Sequence, residues 1–96
     1  MTNAMLYTDK ILDDVRMTLA AIKERGGKVS TGFLNARYDL LQGSYPEIVL
    51  SIACMAIGKT QPYPVKISDA QLGSLVERAK KQNGDLVVEI AQQRAK

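Results

Sequence analysis

The sequence contains no histidine and no tryptophan, and in 96 residues it has one cysteine, one phenylalanine and three prolines. Without histidine the commonest metal ligand and the commonest general base are missing. The single thiol, Cys54, cannot form an intrachain disulfide, which excludes a disulfide scaffold. A lone cysteine in an apolar run reads as a core filler in a reducing compartment. Aromatic residues make up only 5%, so the core must be built from Leu, Ile, Val, Met and Ala. No apolar run reaches the 18 residues or so of a membrane span. The start, Met1 to Lys10, lacks the basic-then-apolar pattern of a secretory signal, so the expected setting is the cytosol. Internal repeats and low-complexity tracts are also missing.

What remains is ordinary globular material, with 46% hydrophobic and 24% charged residues. The length suits one small domain, residues 1–96, whose stability gains from any self-association that buries further apolar surface. Thirteen basic against ten acidic residues give a net charge of +3, which permits nucleic acid as a partner without demanding it.

Hydrophobic spacing predicts helices. Ile11, Leu12, Val15, Leu19 and Ile22 form a stripe along a first helix, capped by Thr8 or Asp9 and stopped by Gly26-Gly27. Met5, Leu6 and Tyr7 can staple its start to a neighbour. Phe33, Leu34, Tyr38 and Leu41 mark a second helix opened by Ser30-Thr31 and closed at Gly43. The third begins at Pro46, after Ser44 or Tyr45, and is almost wholly apolar from Ile48 to Ile57. Such a helix is central, or half core and half partner interface. Lys59 to Ile67, with Pro62 and Pro64, reads as an extended connector with room for a short edge strand at Pro64 to Ile67. Ser68-Asp69 caps a fourth helix carrying Leu72, Leu75, Val76 and Ala79, and Asn83-Gly84 stops it. Leu86 to Ala95 fits a fifth helix or, by composition, a short strand. The expected fold is all-α, a compact bundle of four or five short helices. A helix-turn-helix-like part spans 9–58 and a second helical part spans 68–95.

Several catalytic or ligand-binding patterns dissolve on inspection. Gly58-Lys59-Thr60 resembles the end of a phosphate-binding loop, but Ala53 stands where the motif needs glycine, and a helix leads into it. Gly26-Gly27-Lys28 follows a helix C-terminus, whose dipole repels anions. Asp13 and Asp14 diverge by about 100° around a helix and read as a solvated face. Cys54 lies in the most apolar helix, and Ser44 precedes a helix that it can cap. With no imidazole to activate a hydroxyl or thiol, no enzyme, metal site or cofactor is expected.

Nucleic-acid binding has more to offer. The first helix, the glycine break and the second helix make a helix-turn-helix arrangement whose second member would enter the major groove. Ser30, Thr31, Asn35 and Arg37 would reach base edges, with Tyr38 at the margin. Lys23, Arg25 and Lys28 would approach phosphates, and Lys80 and Lys81 add a second basic surface. From Lys59 to Asn83 there are five basic residues against two acidic ones. That imbalance also suits a solvated face near a helix C-terminus.

Gly27-Lys28-Val29-Ser30-Thr31, then Ala36-Arg37 and Leu40, then Gly43-Ser44 and Ile48, resemble the N-terminal DNA-binding domain of plasmid KfrA-type proteins, over about residues 15–58. The resemblance implies a helical domain that wraps a helix-turn-helix and serves as a repressor or partition accessory. It also implies that Thr31 contacts phosphate, Arg37 is the recognition-helix arginine and Ser44 caps the next helix.

Two functions follow as expectations. The first is a small, dimeric DNA-binding regulator, or plasmid or phage accessory factor, reading duplex DNA with helix 30–41. The second is a helical protein-interaction module, an adaptor or inhibitor of a larger complex. It would use the apolar helix 47–58, with Ile48, Ile52 and Met55 at the homodimer or partner interface.

Overall fold

A computed structural model describes residues 3–94. Five helices run in the order α1 (Asn3–Glu24), α2 (Thr31–Leu40), α3 (Pro46–Ala56), α4 (Asp69–Gln82) and α5 (Gly84–Arg94). No strand occurs among the described residues. The expected all-α bundle is therefore the fold. Ala95, and the side chains of Met5 and Leu6 in the predicted staple, lie outside the described residues.

α1 starts earlier than its predicted caps, so Thr8 and Asp9 lie inside the helix. The Tyr7 ring instead meets the Tyr45 ring edge-on at 5.2 Å, which ties the first turns of α1 to the start of α3. The stop falls as the glycine pair predicts. Gly27 N donates to the Ile22 carbonyl and Gly26 N to that of Lys23, with Gly26 at φ +72°. This left-handed closure satisfies carbonyls that the helix end leaves unpaired.

α2 opens on Ser30, whose hydroxyl accepts from Phe33 N. No residue of α2 is fully buried. Phe33, Leu34 and Tyr38 rest half-buried against the core, and only Leu41, at the C-cap, is inside it. The start of α3 departs from expectation. Tyr45 occupies the cap position without a side-chain cap bond, while the Ser44 hydroxyl donates to Asp14 Oδ2 at 2.7 Å. Ser44 thus ties the α2–α3 turn to α1 and does not cap α3.

α3 is the central helix. α1, α2 and α4 all pack on it. Its residues from Val49 to Cys54 and Ala56 are buried, leaving Ile48 and Met55 half-covered. The connector closes another side, where the Ser51 hydroxyl donates to the Tyr63 carbonyl. The suggested edge strand at Pro64 to Ile67 does not form, because no strand lies alongside to supply a ladder.

Ser68 and Gln71 make a reciprocal capping box at the start of α4. Asn83 ends that helix and α5 follows at once. The choice left open for the last segment resolves as helix. Leu86 and Ile90 are buried while Val88 between them is exposed. A strand would turn all three to one face, whereas helical spacing separates Val88 from the other two. One aliphatic core joins α1, α3, α4 and α5, with Val15, Leu19, Ile22, Leu50 and Ile90 among its buried members. Among the described residues, no helix is long and apolar enough to cross a membrane.

Candidate interaction surfaces

The residues expected to touch DNA differ in how far the fold already engages them. Lys23 pairs with Glu89 of α5 at 3.1 Å. Arg25 donates to the Ser30 hydroxyl and the Lys28 carbonyl, and its guanidinium lies 5.0 Å from the Phe33 ring centre. It thereby locks the loop between α1 and α2. Ser30 is occupied as a helix cap. Arg37 is half-buried, with its Nε enclosed and unpartnered among the described residues. Tyr38 donates to Glu47 Oε2 at 2.6 Å. Lys80 pairs with Glu77, and Lys81 is exposed beside it on α4. Lys28, Thr31 and Asn35 stay exposed around the first turns of α2.

Helix packing also differs from the expected unit. α2 lies chiefly on α3, and α1 packs on α3, α5 and α4. If α2 and α3 are taken as the paired helices, the second is the buried centre of the bundle and cannot lie in a groove. The interface residues divide as well. Ile52 is 0% exposed, sealed by its own chain, and so is core rather than interface. Ile48 and Met55 keep accessible surface.

Aromatics are scarce, and their placement is informative. Four of the five form two edge-to-face pairs, and each pair lines one of two surface hollows. The first hollow, about 570 Å³, lies between α2, the start of α3 and the connector. Asn35, Tyr38, Asp39, Glu47, Tyr63 and Lys66 line it. The Tyr38 hydroxyl bond, then backbone hydrogen bonding and the charge of Lys66, hold the Glu47 carboxyl below the usual range against the opposing effect of burial. The same hydroxyl bond, with burial, pushes the Tyr38 phenol up. Asn35 and Tyr38 therefore face a partly acidic cleft, which is poorly matched to a phosphate backbone.

The second hollow, about 450 Å³, runs between α1, α3 and α4. Tyr7, Ile11, Tyr45, Ile48, Ile67 and Leu75 form its apolar surface, and Thr8, Gln71, Ser74 and Arg78 its polar margin. The hydrogen bond shared with Tyr7, then burial, pushes the Tyr45 hydroxyl up. Sequence reasoning found Ile48 but missed the rest. Tyr7 and Tyr45 could have been suspected from the rarity of aromatics, and Arg78 from the basic stretch. Their convergence has no local signal, because three separate helices and the connector supply it.

Cys54 is buried, and burial pushes its thiol up despite nearby Lys59. Asp14 turns inward to Ser44 while Asp13 faces out. No three acidic, cysteine or histidine residues among those described are placed to hold a metal ion.

Comparison with known protein families, curated proteins and solved structures gives no match.

Proposed function

We propose that this protein is a helical protein-interaction module that receives an apolar segment of a partner protein in the groove between α1, α3 and α4. The observation that carries the reading is the open apolar surface of Tyr7, Tyr45, Ile48 and Leu75, with an arginine at its edge. Tyrosine and arginine are enriched where protein interfaces concentrate their binding energy. DNA reading by α2 has weaker support, since Lys23, Arg25, Ser30 and Tyr38 are committed within the fold.

Site-specific photo-crosslinking tests the reading. A photoreactive residue in place of Leu75 is expected to capture one partner polypeptide, and the same residue at exposed Met17 to capture none. Ile48→Asp should abolish the Leu75 crosslink. Retention of duplex DNA at low salt that Lys28→Glu removes and Ile48→Asp leaves intact would replace this reading with the DNA-binding one.

A further inference from the structure

The groove also carries a charge signature. Among the described residues, Arg78 is the only charged one that lines it. No ion pair engages Arg78 among the described residues, and the adjacent Glu77 is taken by Lys80. The rest of the margin is neutral: Thr8 on α1, and Gln71 and Ser74 two turns and one turn before Arg78 on α4. An apolar trough with one uncompensated guanidinium at its edge complements an apolar surface that bears a carboxylate.

Resting on the interaction reading above, we infer that the occupant is an acidic amphipathic helix of a partner protein. Its apolar side chains would enter between Ile48 and Leu75, and one of its carboxylates would meet Arg78. The trough is open, with Tyr7 54% exposed and Gln71, Ser74 and Arg78 at the surface. A small amphiphile needs most of its own surface enclosed, which an open trough does not provide. A helix laid in a groove needs only its apolar face covered. In a two-fold contact of this groove with a second copy, Arg78 would approach another Arg78, and the described margin offers no carboxylate to meet it.

Three synthetic helical peptides test this. All carry leucines at i, i+4 and i+7, and they differ in having Glu, Gln or Lys at the positions flanking the stripe. Binding is read from methyl shifts of Ile48, Ile67 and Leu75 in the isotope-labelled protein. At low ionic strength the Glu peptide should bind at least tenfold tighter than the Lys peptide, with Gln between them. The gap should shrink as salt is added. Arg78→Gln should collapse the three affinities together, and Arg78→Glu should invert their order. Arg78 is exposed, so an unchanged amide spectrum away from the groove verifies that both variants fold. Equal affinities of the Glu and Lys peptides, with the groove methyls still shifting, would overturn the charge assignment and leave the groove reading standing. If none of the peptides shifts those methyls, both fall.

Discussion

The Arg16 guanidinium donates to the Asn83 side-chain oxygen at 2.8 Å across a separation of 67 positions in the chain. The Asn83 amide nitrogen donates in turn to the Ala79 carbonyl at 2.9 Å, and its backbone carbonyl accepts from Val87 N. One buried asparagine therefore ends α4, starts α5 and fastens both to α1. A residue that looks in sequence like plain helix punctuation is a three-way joint.

Asn83→Ala removes two side-chain hydrogen bonds, one to half-exposed Arg16 and one to the Ala79 carbonyl, which keeps its bond from the Asn83 backbone N–H. The expected cost is about 1–3 kcal/mol, at roughly 0.5–1.5 kcal/mol for each hydrogen bond lost. Urea denaturation followed by circular dichroism measures it. A change within a few tenths of a kcal/mol would mean that the joint is ornamental.

Ile52 and Ile48 lie one turn apart on α3 and should respond in opposite ways. Ile52→Ala opens a cavity at a fully enclosed position and is expected to cost roughly 2–5 kcal/mol, without altering partner capture by the folded protein. Ile48→Asp should keep the helical spectrum and lose the crosslink at Leu75. Thermal melts and crosslinking on the same two proteins separate core from interface.

The Tyr38–Glu47 bond predicts a pH dependence with two ends. A carboxylate titrating below its ordinary value adds stability that is present above the normal carboxylate range. That stability disappears as pH falls through the lowered value. A phenol titrating above its ordinary value adds stability that is present below the normal tyrosine range and disappears as pH rises through the raised value. Tyr38→Phe should thus melt below the parent near neutrality, with the gap narrowing in strong acid and in strong alkali. The Glu47 side-chain carboxyl signal in an NMR titration should move its midpoint upward in the variant. An unmoved midpoint would refute the bond.

Two glycines near α2 should give opposite signs. Gly43 sits at φ +90° with open space where a Cβ would point, so Gly43→Ala meets backbone strain alone. Roughly 1–2 kcal/mol of destabilisation follows from the left-handed conformation. Gly32 is helical, and an added Cβ there would meet only the Ser30 hydroxyl at 3.9 Å. Gly32→Ala should stabilise by about 0.4–1 kcal/mol by narrowing the unfolded ensemble and improving helix propensity. Paired melting curves test both signs.

Much of the fold was legible locally. The stripe from Ile11 to Ile22 is buried as its spacing requires. Ser30 and Ser68 cap the helices they precede, and Gly26 and Gly58 close the helices they follow. Each depends on interactions within a few residues, which the order of residue types encodes. The candidate site was less legible. Arg25, Lys23 and Tyr38 have types suited to DNA, yet each found an intramolecular partner. Ser44, read as a cap, bonds Asp14 on another helix.

The sequence by itself determined that the chain is helical, where four of the five helices stop or start, and which aliphatic stripes turn inward. Those outcomes rest on backbone preference and on periodicity along a single helix. Tertiary structure decided that α3 is sealed at the centre, that the last segment is helix, and that Tyr7, Tyr45, Ile48, Leu75 and Arg78 share one groove. Those outcomes depend on which faces of separate helices meet, and packing settles that only when the whole chain is assembled.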